Sequence, residues 1–174
     1  MNARARCWSV VLSTGLGIAA LTWPTVQGPV ARLVYNPSDS VRRGWYRVGP
    51  TESLHVGGIV LARLPPEAAA LAAERRYLPD RIPLLKSIGA VSPQHVCVHD
   101  RIVRIDGLAV ASALIADRQG RPLPIWQQCR ALHDNELFLL STTNPASFDS
   151  RYFGPVSTSA VIGSARPLWT WSTP

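Results

Sequence analysis

The stretch Val96-Cys97-Val98-His99-Asp100-Arg101-Ile102-Val103-Arg104-Ile105-Asp106-Gly107-Leu108-Ala109-Val110-Ala111-Ser112-Ala113 decides the fold class. Its valines and isoleucines fall in short runs, which predicts strands at 96–98, 102–105 and 108–113. Asp106-Gly107 joins the last two as a two-residue hairpin turn, because a type I′ turn needs positive φ at both central positions and Asp-Gly accepts it.

Outward from this hairpin, the same reading predicts strands at 31–36 and 44–48 around a turn at 37–43. Others are expected at 57–64 before the Pro65-Pro66 break, at 84–91, at 136–141 and at 161–166, with 167–171 as an extension of the last. One helix is expected beyond the N-terminus. Residues 67–78 are alanine-rich, carry Glu74-Arg75-Arg76 near their end, and are followed by Pro79 and Pro83. It serves as a packing helix or as a substrate-binding flap. Residues 117–124 form a polar, turn-rich loop. Fifteen prolines and twelve glycines fit many turns and short strands. The fold class is therefore mainly β: an antiparallel β-domain with one short helix, preceded by an N-terminal helix. A chain of 174 residues holds one domain with a real core.

Arg4 and Arg6 precede an almost uncharged stretch from Cys7 to Val30, with its apolar heart at 8–23 between Trp8 and Trp23. Basic residues ahead of such a run mark 1–30 as a signal anchor or a cleaved signal peptide. A spanning helix usually needs roughly 17–25 residues, so the run is marginal and both readings stand. The positive-inside rule leaves 31–174 as a domain exported across the membrane. In an exported domain Cys97 and Cys129 are expected to pair, with two free buried thiols as the alternative.

The net charge is +7, yet the arginines are scattered, with only Arg42-Arg43 and Arg75-Arg76 adjacent. No basic stripe interleaves with aromatics, so no nucleic-acid partner is expected. There is no C-x-x-C pair, and His95 and His99 flank Cys97 in a strand-like region where they share a face only loosely. No metal and no other cofactor is expected. His55 and His133 carry no readable role.

Of the 18 basic residues, 17 are arginine and one is lysine, and that lysine lies in an apolar run, Ile82-Pro83-Leu84-Leu85-Lys86-Ser87-Ile88. Arginine keeps its proton in a protein, whereas a desolvated lysine can lose it and act as a general base. The other reading is a surface lysine whose stem covers Leu85. Two further segments are rich in hydroxyls: Asn36-Pro37-Ser38-Asp39-Ser40-Val41-Arg42-Arg43-Gly44-Trp45-Tyr46 and Ser147-Phe148-Asp149-Ser150-Arg151-Tyr152-Phe153-Gly154-Pro155. Alone they read as ordinary turns and a local ion pair. With Lys86 they compose a Ser–Lys hydrolase, in which lysine replaces histidine as the base for serine. No Gly-x-Ser-x-Gly elbow supports a Ser-His-Asp triad.

The order of these segments resembles the S26-type signal peptidases, most closely their conjugative-transfer (TraF-type) branch. The pieces are Ser40-Val41 with Gly44 and Tyr46 following, Leu84-Leu85-Lys86, and the Ser147, Asp149, Ser150, Arg151 box running into Tyr152-Phe153-Gly154-Pro155. Gly120-Arg121-Pro122-Leu123-Pro124, with a cysteine on each side of it, also fits that branch. The resemblance implies a signal-peptidase-like β-domain over 31–174 with Ser40 as nucleophile and Lys86 as general base. It implies that Ser38 joins the Ser40 N–H in the oxyanion hole, that Ser147 orients the lysine, and that Asp149 and Arg151 support the scaffold, with Asp149 also implicated in activity. One departure stands out: Arg42 occupies the place where this branch has proline, which predicts a less rigid nucleophile turn or a contact with an acidic group on substrate or lipid.

The implied protein is a single-pass protein of the bacterial inner membrane with its peptidase domain in the periplasm. Its expected partner is an exported precursor, a pilin or another component of a conjugative or type IV secretion apparatus, and a monomer is expected. A non-catalytic, disulfide-stapled scaffold module of the same apparatus is the alternative. A self-cleaving regulator is disfavoured by the export signal and by the lack of a DNA-binding segment.

Overall fold

The computed structural model describes residues 12–18, 33–51, 53–79 and 81–171. Residues 12–18 are helical, and the rest of the anchor expected over 1–30 lies outside the described residues. Among the described residues no helix is long and apolar enough to cross a membrane.

From residue 33 the chain forms β1 (Leu33–Asn36), β2 (Arg43–Gly49), β3 (Ile59–Ala62), α1 (Pro66–Glu74), β4 (Leu84–Val91), β5 (His95–His99), β6 (Ile102–Ile105) and β7 (Leu108–Ser112). There follow β8 (Cys129–Ala131), β9 (Glu136–Leu139), α2 (Ser150–Phe153), β10 (Val156–Ser157) and β11 (Val161–Trp171). They build a seven-stranded sheet in the order β1-β2-β11-β3-β4-β9-β10 and a four-stranded sheet in the order β7-β6-β5-β8. Every strand pairing is antiparallel.

The hairpin forms where the sequence places it. Ile105 pairs with Leu108, and Asp106 and Gly107 stand at φ 50° and 84°. Alternation then sorts the side chains: Val96, Val98, Val103 and Ile105 turn inward against Ala90, Leu132, Phe138 and Leu140, so one core joins the two sheets. A second core lies under β2, β3 and β11, around Tyr46, Val48, Leu61, Leu85 and Ala165. Each such aliphatic or aromatic side chain contributes about 1.5–3 kcal/mol on burial.

Cys97 and Cys129 form a disulfide between directly paired residues of β5 and β8. The three-residue strand β8 escapes sequence reading because it is short and half-exposed, and its partner lies far back in the chain. Reduction opens a loop closed across 32 residues, and is expected to cost about 3–4 kcal/mol. Urea unfolding of the protein with and without reductant checks this.

One element differs from expectation and another meets it. Helix α1 stops at Glu74 rather than running to residue 78, and Arg76 stands at φ 60°. The positive φ of Arg76 lets the Tyr77 N–H turn back to the Ala72 carbonyl at 2.8 Å and close the helix, and the residues at this end contact loop 117–122: Arg75 Nη1 donates to the Pro122 carbonyl at 2.8 Å and the Tyr77 hydroxyl to Asp117. Strand β11 runs on to Trp171 past an irregularity between Pro167 and Trp169, where a residue without an N–H is tolerated. Its indoles are not buried: Trp169 is 73% exposed.

Candidate active site

The turn between β1 and β2 is organised by one side chain. Asn36, the last residue of β1, is buried, and its Nδ2 donates to the carbonyls of Ser38, Val41 and Arg42 at 2.9, 3.1 and 3.2 Å. Its Oδ1 accepts from the Ser38 N–H at 3.2 Å and from Ser38 Oγ at 2.8 Å. The Tyr46 hydroxyl also donates to the Arg42 carbonyl, at 2.6 Å. Arg43 grips Asp39 with two hydrogen bonds of 2.7 and 2.8 Å. The turn is thus tied from both ends, with Arg42 standing where the branch has proline.

Ser38 Oγ and Ser40 Oγ lie 2.7 Å apart. A hydroxyl has one hydrogen, and that of Ser38 is directed at Asn36, so Ser40 is the donor in this pair. Asn36→Ala would leave three carbonyls without their donor and is expected to destabilise the domain by about 2–3 kcal/mol, measured by chemical denaturation.

Lys86 sits in the middle of β4, paired with Val60 of β3, and is 2% exposed. The snorkelling reading of this lysine therefore does not hold. Burial pulls its pKa down to about 8; the Asp149 charge works against that fall and the Arg151 charge adds to it. Its Nζ hydrogen-bonds to Ser147 Oγ.

Ser147 is held by the Asp149–Arg151 pair, whose members are 0% and 1% exposed. Asp149 caps α2 and accepts from the Arg151 N–H at 3.2 Å, from Arg151 Nε and Nη2 at 2.8 Å, and from the Ser141 N–H at 3.0 Å. The remaining guanidinium donors reach the carbonyls of Ser112, Asn144, Pro145 and Ser147 at 2.9–3.2 Å. One planar fork therefore ties the end of β7 to loop 144–147. Ser150 Oγ accepts from the Leu139 N–H at 2.9 Å, which fixes the box to β9. Thr143 Oγ1 donates to the Asp39 carbonyl at 3.3 Å, which links this loop to the serine turn.

Ser38, Ser40, Lys86 and Ser147 all line one cavity of about 530 Å³. Ser40 also borders a second, of about 830 Å³. Asp149 and Arg151 line neither and stand behind Ser147 as its support. Ser40 and Lys86 are hydrogen-bonded in separate pairs, the first to Ser38 and the second to Ser147. Sequence reading brings these residues together but misses Asn36 and the hydroxyl of Tyr46. The signal for Asn36 was its own place ahead of Pro37 and Ser38, since Asn side chains bond backbone two residues on.

One antiparallel β-scaffold thus gathers three serine hydroxyls and a desolvated amine at one cavity. The chain belongs to the family described as signal peptidase, peptidase S26, whose family model matches residues 5–171. It is 35% identical over 147 residues to a plasmid transfer protein TraF of Escherichia coli, covering 72% of this chain and 83% of that protein. A second Escherichia coli plasmid transfer protein TraF is 32% identical over 168 residues, covering 89% and 92%. The conjugal transfer protein TraF of Agrobacterium fabrum is 32% identical over 173 residues, covering 94% and 97%.

Proposed function

We propose that this chain is a membrane-anchored serine endopeptidase with a Ser40–Lys86 dyad, and that it processes an exported precursor. The observation that carries the reading is Lys86: the single lysine of the chain, sealed from water, with its pKa drawn down to about 8, on the same cavity as Ser38 and Ser40. A structural lysine gains nothing from such a place, whereas a general base needs it.

In the proposed reaction Ser40 releases its hydrogen bond to Ser38 and passes its proton to neutral Lys86 as Oγ attacks the scissile carbonyl. Ser38 turns its hydroxyl from Asn36 Oδ1 toward the developing oxyanion and acts with the Ser40 N–H; removing one such donor typically costs about 100- to 1000-fold in rate. Lys86, oriented by Ser147, then protonates the leaving amine. Water releases the acyl-enzyme, or the precursor's own N-terminal amine does so and yields a cyclic product. Asp149 and Arg151 hold Ser147 in place.

The names of the relatives, plasmid and conjugal transfer proteins, support a precursor drawn from a conjugative apparatus, a pilin or another secreted component. The basic-then-apolar N-terminus and the disulfide support a single-pass inner-membrane protein with residues 31–174 in the periplasm.

The test is co-expression with a pilin precursor of a conjugative apparatus, comparing wild type, Ser40→Ala and Lys86→Arg by intact mass of the pilin, with circular dichroism of each variant. Trimming by wild type alone establishes the dyad, and a further loss of one water mass establishes cyclisation. Equal trimming by all three folded proteins overturns the dyad and leaves the non-catalytic scaffold in its place.

A further inference from the structure

The cavity that holds Lys86 has a cationic wall that the proposed chemistry does not use. Arg43, Arg75, Arg76, Arg118 and Arg121 line it, against the carboxylates of Asp39 and Asp117. Both carboxylates are already engaged, Asp39 by Arg43 and Asp117 by Arg121 at 2.6–2.7 Å. Arg75 donates to a backbone carbonyl. Among the described residues no acidic side chain pairs with Arg76 or Arg118, and both are exposed. Arg118 lines the second cavity as well, as Ser40 does.

This wall is built rather than frayed. The segment after α1 and loop 117–122 are latched by Tyr77 on Asp117, by Arg75 on the Pro122 carbonyl, by Arg121 Nη2 on the Arg75 carbonyl at 3.3 Å, and by the Arg121 guanidinium over the Tyr77 ring at 5.5 Å. Asp117 also accepts the N–H groups of Gln119 and Arg121 at 2.8 and 2.9 Å, which sets the backbone on both sides of Arg118. Arg76 is kept at φ 60°, a conformation rare for a residue with a side chain. Arg76 and Arg118 both line the cavity, and two guanidinium groups on one cavity attract a carboxylate, because such pairs are bidentate and charge-assisted.

We infer that Arg76 and Arg118 are specificity-determining residues that bind an aspartate or glutamate of the precursor, close to its scissile bond. The inference rests on the peptidase reading. A peptide fits this concave site, which runs from the arginines in to buried Lys86; the flat headgroup layer of a membrane does not.

The test uses full-length Ser40→Ala protein in detergent, so that binding is read without turnover. The probes are fluorescein-labelled decapeptides identical except for a central Glu-Glu, Gln-Gln or Lys-Lys pair, followed by anisotropy. The Glu-Glu peptide is expected to bind about tenfold tighter than the Gln-Gln peptide. Arg76→Glu with Arg118→Glu is expected to reverse the order in favour of Lys-Lys. Arg47→Glu with Arg101→Glu, an equal change in net charge away from the cavity, is expected to keep the order. Equal binding of the three peptides overturns the inference, as does loss of the preference in the Arg47 and Arg101 control. So does a cavity variant that loses only its sedimentation with phosphatidylglycerol vesicles while the peptide order stays. Because the peptidase reading is tested separately by precursor mass, failure of either leaves the other legible.

Discussion

Lys86→Met is expected to raise the melting temperature at pH 7 while abolishing cleavage. At that pH the buried amine is protonated, and holding the charge in a site that lowers its pKa from 10.5 to about 8 opposes folding by about 3 kcal/mol. Methionine fills similar volume without charge. Ser147 loses a donor in exchange, at about 1–3 kcal/mol, so the net gain is a few degrees. The sign follows from proton counts. Between pH 8 and 10.5 the unfolded chain binds more protons than the folded one, so the stabilising contribution of this group is fully present above pH 10.5. It is lost as pH falls through about 8. Wild type should therefore gain stability relative to the methionine variant as pH rises through that window, measured by thermal melts in a buffer series. Activity follows the neutral amine in the same direction: cleavage rises with pH and levels off above about 8. A wild-type rate that is flat from pH 6 to 9 would remove Lys86 from the role of base.

Arg151→Ala is expected to be the most damaging single change in the domain, at about 3–5 kcal/mol, because it strands a buried carboxylate. Asp149 is fully buried, and four carbonyls lose their donor along with it. Arg151→Lys restores a charge but not the fork, and should recover only part of the loss. Removing Asp149 and Arg151 together should cost less than the sum of the single changes, as coupled pairs do. A second readout separates this pair from simple ballast. Arg151 pushes the Lys86 pKa down and Asp149 pushes it up, so losing Arg151 should move the rise in activity to higher pH in whatever fraction still folds.

How far the sequence could be read depends on how local each cause is. The hairpin at Asp106-Gly107 and the inward valines of β5 and β6 were legible because turn chemistry and a period of two act over a few residues. The burial of Lys86 was only half legible, because its largely apolar run admits a buried amine and a surface lysine alike, and only its place in mid-sheet decides between them. The early stop of α1 was not legible, because it falls on an arginine in the left-handed conformation, which that residue type does not advertise, and the contacts beside it reach 40 to 47 positions along the chain. Strand β8 and the single turn α2 are too short for periodicity to mark, and each is secured by one specific partner, a disulfide in the first case and the Asp149 cap in the second. Asn36 was overlooked for a related reason: its work is done by a side-chain amide facing three carbonyls, and composition carries no trace of that.

The arginine-for-lysine economy of this chain has a practical side. With one lysine in 174 residues, protein grown on lysine labelled with nitrogen-15 at Nζ would give a single side-chain resonance. Its chemical shift would follow the charge of Lys86 through a titration, and through the arrival of a bound peptide, with no assignment to be made.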